Sequence, residues 1–245
     1  MIGTVILTRT EADNQRVAPL FERYGFTVVS GPTIELRPLA VDLTQGRRAL
    51  EKGGGVVLTS GEATERWLDL RRDRLADLPV ECYLVVGRRS AELLHAGDPE
   101  TPIVAVADSS AELLQSLESF PVRLLYPGSR ARRDEFVSGL RVRGSQVFDF
   151  PLYEPVLPAD GGRSFSAALR AATLPLAVVF FSPSAVEGMQ ALAITLPTGA
   201  IVAAIGATTA AALNARGITH VVVPERPDPE LLAQALMKRF VGSDG

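Results

Sequence analysis

The feature that most constrains the fold is an internal repeat of alternating strand-like and helix-like segments. Residues 5–36 align without a gap on residues 124–155, with glycines and prolines at matching positions. A second pattern also occurs twice, in segments that begin at Val56 and at Val178: an apolar run ends in serine, and Gly-x-x-[Ser/Thr]-Ala-x-x-Leu follows further on. The order along the chain is therefore first, second, first, second.

The alternation of strands and helices predicts parallel sheets that are covered on both faces. Units of this kind resemble one another by composition alone, but here the glycines and hydroxyl residues recur together with the strands, which favours two domains of one fold. Two arrangements remain open: tandem domains, or a middle domain inserted into an outer one as its circular permutation. Extended, proline-containing segments at 32–39 and 150–158 favour insertion. The expected boundaries are 1–36 with 158–245 for the outer domain, 41–152 for the inserted domain, and linkers at about 37–40 and 153–157.

Composition limits the class of protein. With 245 residues, of which 47% are hydrophobic and 22% charged, the chain is able to bury a sizeable core. A net charge of −3 argues against nucleic acid as a partner. The apolar runs are shorter than the ~18 to 20 residues of a membrane span, and the N-terminus lacks the features of a signal peptide, so we expect no membrane contact and a cytoplasmic location.

The residues that most often bind metals are few. Cys82 is the single cysteine and cannot form an internal disulfide, and His95 and His220 are far apart in sequence. Cys82 is either an inert buried thiol or a nucleophile, and its place in a strand-like run favours the buried thiol. No metal site is predicted.

Hydroxyl residues follow equivalent strands in the two copies of the second pattern. Ser60 and Ser182 close these strands, and Thr59, Thr208 and Thr209 lie nearby in the same pattern. At the carboxyl edge of a parallel sheet such residues, with the N–H groups of the next helix, bind anions. They also serve as helix N-caps, each contributing about 1 kcal/mol to folding. The sequence allows both roles at once.

A glycine and basic residues stand at another strand-to-helix turn. Gly128 and Ser129 precede Arg130, and Arg9 holds the corresponding place in the first copy. Arg132 and Arg133 add charge to the same turn. Arginine pairs well with carboxylates, but charged residues on a helix more often form a solvated face, so anion binding at Arg9 and Arg130 is a hypothesis.

Six segments, taken in order, resemble the uroporphyrinogen-III synthase family over nearly the whole chain. They are LTRT near the start, TSGEA at 59–63, VGRRSAELL, PLYEPV, FFSPSA and AIGATTAAAL. The resemblance implies a bilobal protein with two flavodoxin-like α/β domains, a two-stranded linker, the middle domain inserted into the outer one, and an active site in the cleft. It also implies no cofactor, no metal and a small-molecule substrate. The sequence has no obvious coiled coil or apolar stripe, so we expect a monomer, and we expect a transient handover of substrate from the preceding pathway enzyme.

The reaction of this family makes particular demands on a site. The resemblance implies that the chain cyclises hydroxymethylbilane, a linear tetrapyrrole with eight carboxylates, to uroporphyrinogen III with inversion of ring D and loss of water, as a lyase. Loss of the hydroxyl gives a reactive azafulvene, which on its own closes to the symmetrical isomer. Such an enzyme has to hold a flexible polyanion in one geometry through positioned donors.

One tyrosine matches a residue that the family is thought to use. Tyr153, in PLYEPV, corresponds to a tyrosine proposed to donate a proton to the departing hydroxyl. A phenol with a pKa near ~10 is able to donate at neutral pH. The alternative role is that of a linker aromatic that packs or orients. Tyr24, Tyr83 and Tyr126 have no such match and are expected in the core.

A second class of function is a bilobal ligand-binding or regulatory protein that kept the fold and lost the reaction. A fused effector region or loss of the hydroxyl and tyrosine positions would indicate it. The chain retains Tyr153 and all six segments, and it shows no basic helix-turn-helix extension. The enzyme is therefore the favoured interpretation.

Overall fold

The computed structural model describes residues 2–131 and 134–242, and the chain divides into two compact units. Unit 1 comprises the chain up to Leu36 and from Pro155 onward, and unit 2 comprises Arg37–Glu154. Arg132 and Arg133, considered above for their charge, lie outside the described residues.

Strands and helices alternate through most of the chain. The strands are β1 Gly3–Leu7, β2 Phe26–Ser30, β3 Glu35–Pro38, β4 Gly55–Leu58, β5 Cys82–Val86, β6 Ile103–Ala107, β7 Arg123–Ser129, β8 Gln146–Val156, β9 Leu176–Phe180, β10 Ile201–Ala204 and β11 Val221–Val222. The helices are α1 Glu11–Arg23, α2 Leu43–Leu50, α3 Gly61–Asp73, α4 Arg88–Gly97, α5 Ser110–Gln115, α6 Asp134–Val142, α7 Arg163–Ala171, α8 Pro183–Ala191, α9 Ala207–Asn214 and α10 Pro229–Val241.

Unit 1 is built on a five-stranded sheet with the order β2-β1-β9-β10-β11, in which each neighbouring pair is parallel. Successive residues of a strand point to opposite faces, and the two hydrophobic clusters of this unit follow that rule. Val5 and Val179 pack on one face with residues of α1 and α10, whereas Ile6 and Val178 pack on the other with residues of α7 and α8. The central strands are therefore buried on both sides, as their continuous apolar sequence predicts.

Unit 2 contains a six-stranded sheet with the order β3-β8-β7-β4-β5-β6. The pairs β8–β7, β7–β4, β4–β5 and β5–β6 are parallel. One face of this sheet packs against α5 and α6 through a cluster that includes Leu84, Leu124 and Phe136. The edge strand β3 ends at Pro38, which a sheet edge tolerates because the missing N–H costs no ladder hydrogen bond there.

The two sheets have the same strand order after a circular permutation. When β3 is left out, β8, β7, β4, β5 and β6 of unit 2 take the positions of β2, β1, β9, β10 and β11 of unit 1. Read from β2, this is the 2-1-3-4-5 order of flavodoxin-like folds. The predicted fold class, two flavodoxin-like parallel sheets with the middle one inserted into the outer one, is confirmed.

The chain passes from one unit to the other within β3 and again within β8, which are neighbours in the sheet. After β3, the N–H of Leu39 donates to the carbonyl of Leu152 at 3.0 Å. These strands form the two-stranded connection that the proline-containing segments predicted. Within the described residues, no helix has the length and apolar character needed to cross a membrane.

Candidate functional site

The residues predicted to bind substrate lie at the carboxyl ends of strands in both sheets. The carboxyl ends of parallel strands share one edge of a sheet, where loops and helix N-termini present polar groups. In unit 2 these residues follow β4 or lie at the ends of β7 and β8: Thr59, Ser60, Gly128, Ser129, Arg130 and Tyr153. In unit 1 they follow β1, β9 and β10: Arg9, Ser182, Thr208 and Thr209.

Tyr153 and Ser60, 93 positions apart in sequence, are hydrogen-bonded in unit 2. Tyr153 Oη and Ser60 Oγ lie 3.1 Å apart, and the Tyr153 residue is 6% exposed. Ser60 Oγ also accepts the N–H of Ala63 at 3.2 Å and so caps α3. The helix cap therefore fixes the hydroxyl that holds the phenol.

The protonation state of Tyr153 follows from this environment. Burial raises the pKa of the Tyr153 phenol above its ordinary value, and the hydrogen bond with Ser60 opposes that rise. The phenol is therefore protonated at neutral pH. A protonated phenol that is held at a sheet edge is able to give its proton to a bound molecule.

A second phenol lies at the same edge. Tyr126 Oη and Thr59 Oγ1 are 3.0 Å apart, and the Tyr126 ring meets Phe136 edge-on with centroids 5.6 Å apart. Tyr126 is 5% exposed, as a core residue should be, but its hydroxyl reaches a predicted site residue. Sequence reasoning missed this contact. Its only signal was that Tyr126 directly precedes the Pro-Gly-Ser sequence that ends β7.

The turn after β7 is tied to the backbone of Tyr153. The N–H of Arg130 donates to the Tyr153 carbonyl at 2.8 Å, and Ser129 pairs with Tyr153 in the β7–β8 register, next to an irregularity at Gly128. Ser129 Oγ accepts the N–H of Ala131 at 3.2 Å. Gly128 and Ser129 thus position the strand end that carries the tyrosine.

The side chain of Arg130 is part of an ion-pair cluster. Arg130 Nη1 and Arg37 Nε each donate to a Glu154 oxygen at 3.1 Å. The guanidinium of Arg37, followed by that of Arg130, lowers the pKa of the Glu154 carboxyl. Arg130 is 59% exposed at its side chain, so a substrate carboxylate is able to reach it but has to compete with Glu154.

Another arginine crosses the start of α3. A Cβ at Gly61 would lie 2.6 Å from Arg89 Nε, so a larger residue at position 61 would displace this side chain. Arg89 also pairs with Glu65 at 2.5 Å. In the part of the chain that the structure describes, Arg89 Nε is a buried nitrogen without a hydrogen-bond partner. Arg89 was not predicted as a site residue, although it lies in the VGRRSAELL segment.

In unit 1, Arg9 is held beside the end of β9. Its guanidinium lies 5.4 Å from the centroid of the Phe181 ring and pairs with Asp13 at 2.9 Å. The buried Asn14 orders this loop: its Oδ1 accepts the Arg9 N–H at 3.0 Å, and its Nδ2 donates to the Leu7 carbonyl at 2.9 Å. Sequence reasoning missed Asn14. The available signal was a polar residue in helical phase with the buried Phe21.

The remaining predicted residues of unit 1 lie at helix starts. Ser182 Oγ accepts the N–H of Ala185 at 3.2 Å and caps α8. Thr208 is exposed, whereas Thr209 is only 3% exposed. Thr208 is therefore accessible to a ligand, whereas Thr209 packs into the protein.

The helices of the repeated Gly-x-x-[Ser/Thr]-Ala-x-x-Leu pattern, α4 and α9, start without a capping side chain. α9 begins after Gly206 and α4 begins after Gly87, and neither glycine provides a side-chain acceptor for the first turn. At Gly87, φ is +88°, a value that favours glycine. The first-turn N–H groups of these helices, with the positive end of the helix dipole, are suited to carboxylates.

Metal ligands are not brought together in residues 2–131 and 134–242. No group of three or more His, Cys, Asp or Glu side chains is placed there to hold a metal ion. Cys82 is buried, and burial raises the pKa of its thiol, as the inert interpretation predicts.

Comparison with known proteins decides between the two classes of function. A family model described as uroporphyrinogen-III synthase HemD matches residues 15–234. The chain belongs to the uroporphyrinogen-III synthase family. The resemblance in the six segments is confirmed, and family membership supports the function of an enzyme of haem biosynthesis. It gives no support to a binding protein without activity.

Solved structures of uroporphyrinogen-III synthases share the fold. A selenomethionine variant of the enzyme from the thermophilic bacterium Thermus thermophilus superposes with a TM-score of 0.64 at 23% identity, over 98% of this chain and 99% of that one. The enzyme from Helicobacter pylori superposes with a TM-score of 0.60 at 15% identity, over 97% of this chain and 99% of that one. At such low identity the similarity shows the fold alone.

Proposed function

We propose that this protein acts as a carbon–oxygen lyase, which cyclises hydroxymethylbilane to uroporphyrinogen III with inversion of ring D and loss of water. The observation that carries the proposal is the buried, protonated phenol of Tyr153, hydrogen-bonded to Ser60 at the carboxyl edge of a sheet. This group is able to protonate a leaving hydroxyl without a metal or a cofactor.

The substrate is a polyanion, and both sheet edges offer donors for carboxylates. In unit 1 these are the guanidinium of Arg9, the hydroxyls of Ser182 and Thr208, and the first turn of α9. In unit 2 they are the first turn of α4, the hydroxyl of Thr59 and the guanidinium of Arg130. Fixed donors of this kind restrict a flexible chain to one folded geometry. We propose that Thr209 supports the first turn of α9 from inside.

The reaction needs one proton donor, and it consumes no protons overall. The Tyr153 phenol gives its proton to the hydroxyl oxygen as the carbon–oxygen bond breaks, and water leaves. The resulting azafulvenium is attacked by the substituted carbon of ring D, which gives a spiro intermediate that fragments and recloses with ring D inverted. The last ring carbon then releases a proton, which restores the phenol. Water is thus the only by-product.

The decisive experiment supplies hydroxymethylbilane to the purified protein and separates the product isomers. We expect uroporphyrinogen III as the main product, at a rate well above that of the protein-free reaction. If only the symmetrical isomer forms, at the rate without protein, the assignment is overturned. A Tyr153→Phe variant assayed in parallel tests the role of the phenol.

The organisation of the molecule is also proposed. We propose that 1–36 with 158–245 and 41–152 are separate domains, with linkers at 37–40 and 153–157. We further propose a monomer in the cytoplasm that receives substrate by transient handover from the preceding enzyme. Light scattering of the purified protein tests the monomer, and cell fractionation tests the location.

A further inference from the structure

The first two turns of α3 place three polar residues around the ring of Tyr153. Ser60 caps the helix and bonds to the phenol, Glu62 lies in the first turn, and Arg66 lies one turn further along. Arg66 Nε donates to Glu62 Oε1 at 2.5 Å. The Arg66 guanidinium carbon is 5.3 Å from the centroid of the Tyr153 ring, within the range of a cation–π contact.

We propose that Arg66 is a positioning residue for Tyr153, which fixes the plane of the ring and stabilises the phenolate that forms when the proton is given up. This inference rests on the proposed function of Tyr153. Arg66 acts through the tyrosine and does not touch the reacting atoms, so it is not a catalytic residue.

The polar groups that face the phenol come from two elements. From α3, the hydrogen bond of Ser60 favours the phenolate, the Glu62 carboxylate disfavours it and the Arg66 guanidinium favours it; from β7, Tyr126 disfavours it. Burial raises the pKa of Tyr153 most strongly, so a proton donor at this position needs a group that offsets the cost of forming the anion. Among these groups Arg66 is the only cation.

Glu62 keeps the guanidinium in place. Arginine has a long side chain with many rotamers, and the hydrogen bond from Nε to Glu62 restricts them and so holds the planar guanidinium. The pair lies four residues apart on one helix turn, a spacing at which side chains meet without distortion. The Arg66 side chain is 27% exposed, so neither a buried charge nor a core contact explains its position.

Arg66 also borders a pocket of about 350 Å³ that is lined by Leu70 and by Leu152, the neighbour of Tyr153. A shorter side chain at position 66 would enlarge this pocket and remove the cation–π contact with the tyrosine ring. Loss of Arg66 therefore predicts a more mobile ring as well as a phenol that gives up its proton less readily.

The experiment compares Arg66→Gln with Arg66→Lys, which keeps the charge, and with Arg72→Gln as the control. Arg72 lies on the same helix in an exposed pair with Asp69 at 3.6 Å, away from the tyrosine. We expect Arg66→Gln to lower kcat about tenfold with KM changed by less than about twofold, Arg66→Lys to recover part of the loss, and Arg72→Gln to match the parent protein.

Two further readouts separate positioning from folding. The pKa of the Tyr153 phenol, followed by NMR of ring-labelled tyrosine and assigned with Tyr153→Phe among the four tyrosines, should rise in Arg66→Gln and not in Arg72→Gln. In a Tyr153→Phe background, Arg66→Gln should lower kcat no further, because the two residues act as one unit.

The inference is overturned if Arg66→Gln leaves both kcat and the pKa of Tyr153 unchanged, or if its effect on kcat is the same with and without the tyrosine hydroxyl. Failure of the proposed function looks different: the parent protein itself then yields only the symmetrical isomer. In that case the NMR titration still reports whether Arg66 acts on the phenol.

Discussion

The ends of β4 and β9 are equivalent positions in two sheets of the same strand order, yet they carry different chemistry. After β4, the hydroxyls of Thr59 and Ser60 bond to two phenols. After β9, the matching positions hold Phe181 and Ser182; the phenylalanine ring lies under the guanidinium of Arg9, and the serine caps α8. The capping serine is common to both units and belongs to the fold, whereas we propose that its neighbours serve proton donation in unit 2 and carboxylate binding in unit 1.

The largest expected effect is the loss of the unit 2 phenol. Tyr153→Phe removes only the hydroxyl, so we expect kcat to fall on the order of 100-fold, as for loss of a general acid, with little change in KM. Steady-state assays with hydroxymethylbilane measure both. Far-ultraviolet circular dichroism should remain that of the parent protein. Turnover within about twofold of the parent would remove Tyr153 from the reaction and leave packing as its role.

The two capping serines give a matched pair of variants. Ser60→Ala and Ser182→Ala each remove one N-cap, and each should lower the free energy of unfolding by about 1 kcal/mol in urea titrations. Only Ser60→Ala also releases the phenol, so we expect its kcat to fall about tenfold, while Ser182→Ala mainly raises KM by about threefold. Equal kinetic effects of the two substitutions would contradict the proposed difference in role between the two units.

Removal of the positive charge at the sheet edge of unit 1 is expected to have a smaller effect on the kinetics. Arg9→Gln removes a guanidinium proposed to meet a carboxylate, and KM should rise about threefold to tenfold, with the rise fading at high salt. Arg16→Gln is the control, because Arg16 pairs with the same Asp13 and its side chain is about as exposed as that of Arg9. If both variants raise KM equally, the effect belongs to the general charge of α1 and not to Arg9.

The smallest effect is on stability in alkaline solution. Burial raises the pKa values of the Tyr153 and Tyr83 phenols, so the folded protein keeps protons that the unfolded chain releases near pH ~10. The free energy of unfolding should therefore fall as the pH rises above about 10, and below that value these phenols leave it unchanged. Tyr153→Phe should make the fall shallower in urea titrations at a series of pH values. An unchanged slope would indicate that the phenol is not desolvated.

The fold could be predicted because its determinants are local in sequence. Apolar runs of strand length, capping residues such as Ser60, and helix-ending glycines recur in two copies, and each signal lies within one strand–helix unit. The two-stranded connection followed from prolines that disfavour a helix. Strand order was accessible through the repeat and the family resemblance, since the alternation of elements by itself does not specify which strands are neighbours.

The site could be predicted only in part. Ser60, Ser182 and Tyr153 stand at strand ends and are visible in the sequence. The contacts of Tyr126 with Thr59 and of Arg66 with Tyr153 join segments 67 and 87 positions apart. Such contacts depend on the lateral order of β4, β7 and β8 and on the rotation of α3, neither of which a local pattern encodes. In the sequence alone, Arg66 cannot be distinguished from the other charged residues of its helix.

The circular permutation also determines the order in which neighbouring strands of unit 1 become available during translation. β1 emerges early, but its partner on one side is β9, and the register joins Thr4 with Leu176. The whole of unit 2 leaves the ribosome between these strands, with all six of its strands already present. We therefore expect the inserted unit to fold first. Once it is folded, it shortens the effective loop that unit 1 has to close between β2 and β9. β9, β10 and β11 then complete the sheet that β1 and β2 began.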